Sequence, residues 1–300
     1  MAEVSEMLHV IPAKFLIIRQ MRHKYRCTGC HSQLVTAPVP KRIIPGGMYS
    51  DEMILDVALS KYCDRIPIER YSAIAGRSGA IDLPQNSLVH LTHHLATYFE
   101  PAYNRLKEEI SEARVLHADE TTHNMLEGDK KSNWFLWDFS SKNTSYFEIH
   151  DSRSGDVASE LLSRTRCEYL VSDVYSGYVK SVNVTNKLRA DRQQPLICSI
   201  YCNAHSRRKF CDAEKNFPEE AQFFIEKYRE IYILEADGKP LTSEGFGKKR
   251  IEMNPYFEAM KAKAEALLET CSSKSLLATA SVRCYSGLYF NISQLCIILQ

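Results

Sequence analysis

"RVLHADETTHNML", residues 114–126, runs the apolar pair Val115 and Leu116 almost straight into two adjacent carboxylates, Asp119 and Glu120. A β-rich stretch that meets acid at its end predicts a strand whose working end presents a carboxylate. Successive side chains on a strand point to opposite faces, so Asp119 and Glu120 cannot both serve one site. With Asp119 turned toward the site, Glu120 supports it from behind at most.

Further along, "NWFLWDFS" (133–140) and "SYFEIHDS" (145–152) are separated from that strand and from each other by the polar turns "EGDKKS" and "SKNT". This spacing predicts an antiparallel three-strand meander. A short helix is expected in "SGDVASELLSRT" (154–165), then a strand over Tyr169–Val171 ending at Asp173. A strand reached through a helix after a meander is typically parallel to an earlier strand, by a right-handed crossover. The order β-β-β-α-β therefore brings Asp173 beside Asp119. Two carboxylates on neighbouring strands suit Mg²⁺ or Mn²⁺, hard cations that take oxygen ligands. The alternative is a pair of solvated acids at strand ends.

The rest of the chain sets the context. It has 300 residues, 44% of them hydrophobic and 25% charged, which is globular composition with room for two or three domains. No N-terminal signal pattern and no apolar run of membrane-spanning length occurs, so a cytoplasmic protein without membrane contact is expected. In that compartment its 10 cysteines read as reduced thiols or metal ligands. Net charge is +1, yet Leu8 to Ser50 carries Lys14, Arg19, Arg22, Lys24, Arg26, Lys41 and Arg42 with no Asp or Glu. Such a segment either neutralises phosphates or forms a solvated basic face.

Prolines 38 and 40 and "PGG" at 45–47 close the basic segment. A helix capped by Ser50 is expected in "SDEMILDVALSKYC", a second ended by Gly76 in "IPIERYSAIAG", and a long third in 84–110 with a kink near Pro101. This fits a helix-turn-helix element or a plain helical bundle. The expected organisation is a basic segment over 1–47, a helical region over 48–112, a mixed α+β or α/β core over 113–281 with a helical insertion, and a divergent tail over 282–300.

"CNAHSRRKF" at 202–210, "ADET" at 118–121, "KYRCTGC" at 24–30, "VPKRIIPGG" at 39–47 and "SKYCDRIPIERY" at 60–71 together resemble the insertion-sequence 66 family of bacterial transposases. The resemblance covers about Val10 to Ala280. It implies an RNase H-like core in which a D, D, E triad binds two divalent metals, cuts DNA at element ends and joins the freed 3′ hydroxyl to target DNA. On it, Asp119 and Asp173 are the first two carboxylates. His205, Arg208 and Lys209, with Arg207 beside them, face the DNA backbone, where Arg offers paired donors to phosphate. The alternative leaves Phe210 and Cys202 in the core and the arginines in water. Self-association into a homo-oligomer is left open.

Two departures limit the expectation. Cys27 and Cys30 form half of a tetrahedral Zn²⁺ site, but residues 1–26 hold no cysteine and only His9, His23 and His31 stand near to complete it. The third carboxylate implied by the family, in a D-N-N motif followed by E-R, is missing from the stretch after "PYFEAMKAKAEALLET" (255–270), and no acid follows Glu269. The sequence therefore reads as a transposase shortened at both ends and defective in strand transfer, or alternatively as a non-catalytic DNA-binding remnant. An apolar tail of this kind is open to aggregation unless covered.

Overall fold

The computed structural model describes residues 5–10, 14–26, 28–30, 34–79, 83–125, 133–239 and 241–294, with side chains omitted at 243 and 286–294. The chain divides into two compact units at Tyr103/Asn104.

In the first unit, β1 (Lys24–Arg26) pairs antiparallel with β2 (Leu34–Thr36), both largely exposed. Helix α1 (Asp51–Tyr62) starts where expected: the Ser50 hydroxyl accepts from the Met53 amide at 3.3 Å, and Asp51 and Glu52 occupy the positive end of the helix dipole. Helix α2 (Ile68–Arg77) passes through Gly76 and stops at Ser78; the left-handed residue is Gly79, with φ +83°. The sequence pattern favoured Gly76 as the terminator, but only the glycine with positive φ ends the helix. Helix α3 (Gln85–Glu112) continues through Pro101 and contains the division between the units. Ile54, Val57, Tyr71, Ala75, Leu88 and Leu91 form this unit's core.

The second unit is built on a five-stranded mixed sheet of order β5-β4-β3-β6-β7. β3 (Val115–Asn124), β4 (Asn133–Ser140) and β5 (Ser145–His150) form the antiparallel meander. Helix α4 (Gly155–Leu162) crosses to β6 (Tyr169–Ser172), parallel to β3; α5 (Ser176–Asp191) crosses to β7 (Cys198–Tyr201), parallel to β6. After them come α6 (Asn203–Ala213), α7 (Pro218–Gly238), α8 (Ser243–Glu252), α9 (Asn254–Thr270) and α10 (Leu276–Gln294).

Two cores hold this unit. Leu116, Ala118, Trp137, Leu161, Leu170, Tyr178 and Val182 pack between the sheet and helices α4 and α5. There α4 and α5 approach so closely that a Cβ on Gly155 would lie 2.2 Å from the Gly177 carbonyl, and the Ser181 hydroxyl sits 2.6 Å from Gly155 O. Arg189, buried on α5, donates to the Cys167, Thr165 and Pro195 carbonyls at 2.6, 2.7 and 3.0 Å, satisfying backbone of the loops that lead into β6 and β7. The other core joins α6, α7, α9 and α10 through Phe210, Phe224, Tyr228, Phe257, Met260 and Leu277. The tail expected from residue 282 begins inside α10, whose Cys284 is buried in this core.

Candidate metal and nucleic-acid site

β3 pairs with β6 through Val115↔Tyr169, Leu116↔Leu170 and His117↔Val171. Asp119 on β3 and Asp173, the residue after the end of β6, each lie two residues beyond the last of these pairs. Alternation along β3 settles which way the acids turn. Leu116 and Ala118 are buried, His117 and Asp119 face out, and Glu120 returns inward with 2% of its side chain exposed. Both aspartate charges add to the rise of the Tyr178 hydroxyl pKa, behind burial and the Glu120 hydrogen bond.

Asp119 is open, with 59% of its side chain exposed; Oδ1 accepts the Glu120 amide at 3.0 Å and Oδ2 lies 3.8 Å from His205 Nε2. Asp173 is 13% exposed: Oδ1 accepts the Tyr175 amide at 2.9 Å, and Oδ2 faces Arg283 Nη1 at 3.4 Å. His205 is half-buried at the start of α6, and its Nδ1 is buried without a hydrogen-bond partner.

Behind the strand, Glu120 Oε1 accepts from Arg153 Nε at 2.8 Å and Oε2 accepts from the Tyr178 hydroxyl at 2.6 Å. Burial disfavours the Arg153 cation, but the hydrogen bonds and charge of Glu120 outweigh it and raise its pKa. Burial, then the hydrogen bond to Glu120, push the Tyr178 hydroxyl well above its ordinary value. Arg153 stacks on the Tyr175 ring at 4.3 Å, and the Tyr175 hydroxyl donates to Arg153 O at 3.0 Å.

Of the basic residues on α6, Arg208 is exposed and Lys209 pairs with Asp212 at 3.0 Å. Arg207 turns away from His205 toward α7, where its charge acts on Tyr232. Cys27 lies outside the described residues, and Cys30 is exposed in the turn after β1. Among the described residues no three His, Cys, Asp or Glu side chains converge into a metal cage. Asp119 and Asp173, carried at the same end of neighbouring strands, offer the oxygen donors that a hard cation takes when it completes its shell with water and phosphate oxygen. Arg283, Arg153 and Tyr175 were not anticipated. Only Tyr175 and Tyr178 carried a signal, two and five positions after Asp173.

Comparison with known proteins gives the context of this geometry. Residues 46–286 match the model of the transposase IS66 family, and residues 2–31 match the zinc-finger binding domain of transposase IS66. Three uncharacterized proteins of Sinorhizobium fredii are similar: y4jD, 26% identical over 92% of this chain and 55% of its own length; y4qI, 28% over 69% and 40%; and y4hP, 23% over 86% and 49%. The chain thus spans about half the length of the curated relatives it matches. Among the described residues no helix is long and apolar enough to cross a membrane. With one family model covering both the sheet and the helices that carry Asp119, Asp173 and His205, the chain belongs to the IS66 family of transposases.

Proposed function

We propose that the chain acts on DNA as a transposase of an insertion sequence, with Asp119 and Asp173 as the carboxylates that hold a divalent cation at the scissile phosphate. The parallel register of β3 and β6 supports this reading, because Asp119 and Asp173, far apart in sequence, each follow its last pair by two residues. The order β5-β4-β3-β6-β7, three antiparallel strands followed by two parallel ones, supports an RNase H-like core. Mg²⁺ or Mn²⁺ held there supplies charge stabilisation to the attacking and leaving oxygens of a phosphodiester.

The chain's own residues supply position and charge. Asp119 offers an open oxygen, Asp173 a shielded one fixed by the Tyr175 amide, and His205 a ring nitrogen beside Asp119. Arg208, exposed on the same helix as His205, suits the DNA backbone, as does the basic segment from Lys14 to Arg42. Cys27 and Cys30 contribute to a Zn²⁺ site within the matched zinc-finger segment; since a structural zinc takes four ligands, retention by this pair alone is weak.

A second reading is favoured by one observation: among the described residues no third His, Cys, Asp or Glu joins Asp119 and Asp173 in a cluster that could hold a metal. In that reading the chain binds element ends and a cation without completing strand transfer, as a non-catalytic DNA-binding protein of the family. Metal-dependent nicking of element-end DNA separates the two. Nicking by the chain that Asp119→Asn abolishes supports the catalytic reading. Salt-dependent DNA binding without nicking in Mg²⁺ or Mn²⁺ supports the second. Salt-independent or absent DNA binding would overturn both.

A further inference from the structure

We infer that Glu120 is a positioning residue for the cation site, holding Asp119 and Asp173 in mutual register from the buried face of β3 through Arg153, Tyr175 and Tyr178. The inference rests on the reading of Asp119 and Asp173 as cation ligands.

Leu116 and Ala118 show what that face of β3 ordinarily takes, and an apolar residue at 120 would fill the core without the cost of dehydrating a carboxylate. A buried ion pair is poor support for stability, since well-packed apolar side chains of similar volume often do as well. What the pair does supply is fixed geometry.

Glu120 is covalently next to Asp119, and its own amide is the donor to Asp119 Oδ1. Its Oε1 takes Arg153, whose ring partner Tyr175 gives its amide to Asp173 Oδ1. Its Oε2 takes Tyr178, in the first turn of α5, directly after the Asp173 loop. Tyr178 is itself held edge-on against Trp137 of β4 at 5.8 Å. Two routes therefore run from the residue beside one aspartate to the backbone that orients the other. Groups that orient metal ligands in this way typically contribute about 10–100-fold to metal affinity.

The test is Mn²⁺ binding by the full chain, measured by calorimetry beside urea unfolding, for Asp119→Asn, Glu120→Gln and Tyr178→Phe. Glu120→Gln is expected to weaken Mn²⁺ binding by about 10-fold or more. That variant also removes a nearby negative charge, so Tyr178→Phe is decisive: it changes no charge, keeps the ring against Trp137, and is expected to weaken binding several-fold at an unchanged unfolding midpoint. Native affinity in Tyr178→Phe overturns the inference whatever Glu120→Gln does, including failure to fold. A loss of affinity that merely follows a loss of stability overturns it too. Native Mn²⁺ binding by Asp119→Asn would instead defeat the underlying cation reading.

Discussion

Arg283 Nη1 on α10 lies 3.4 Å from Asp173 Oδ2, a contact between residues 110 positions apart that sets a fixed positive charge against a proposed cation ligand. Both side chains are largely shielded, so the charge is felt strongly. Arg283→Gln is expected to tighten Mn²⁺ binding by about 3–10-fold, because one competitor for the Asp173 carboxylate is gone. Calorimetric titration checks the direction; weaker binding would mean that Arg283 orients Asp173 rather than competing for it.

Arg208 is the exposed cation on the helix that carries His205. If it meets DNA backbone, Arg208→Ala lowers the slope of log affinity against log salt by about one unit and weakens all sequences alike. Filter binding at graded salt measures it, and an unchanged slope returns Arg208 to the solvated surface.

Glu148 on β5 gives the fold an acid limb. Burial pushes its carboxyl up, but hydrogen bonds from Lys107, Tyr146 and His150 and the Lys107 charge win, leaving it at about 2 instead of the ordinary 4.5. A depressed carboxyl stabilises fully above its unfolded value, and the contribution disappears as pH falls from 4.5 toward 2. Allowing for the exposure of Lys107, this is on the order of 2 kcal/mol. Urea midpoints taken across that window should fall steeply for the native chain and more gently for Glu148→Gln.

Two glycines respond oppositely to alanine. At Gly155 the added Cβ meets the Gly177 carbonyl at 2.2 Å, and separating α4 from α5 costs about 1–3 kcal/mol. At Gly76, inside α2 with nothing within 4 Å, alanine stabilises by about 0.5–1 kcal/mol. Denaturant unfolding of the two variants should shift in opposite directions; a destabilised Gly76→Ala would show that α2 needs that freedom after all.

The meander and the parallel return to β6 could be read from sequence because each strand is short, β-rich and bounded by polar turns, and because β3-α4-β6 admits one common handedness. The expectation that Asp119 and Asp173 stand beside one another rests on that topology alone. Arg283 and Arg153 could not be found this way. Nothing local marks an arginine on α10 or between β5 and α4 as the partner of a distant carboxylate, since such contacts exist only after helices pack. Arg207 shows the same limit: adjacent to Arg208 in sequence, it is turned by the helix toward Tyr232. Gly76 and Gly79 were likewise indistinguishable until φ was known.

The opposite facing of Asp119 and Glu120 makes β3 far more sensitive to length than to composition. Losing one codon between Val115 and Ala118 would keep both acids yet exchange their faces, sending Asp119 into the place of the buried Ala118 and Glu120 into the open, and leaving Thr121 opposite Arg153 and Tyr178. Copies of the gene that drifted in this way would look intact by residue content while having lost both the cation site and the buried pairing behind it.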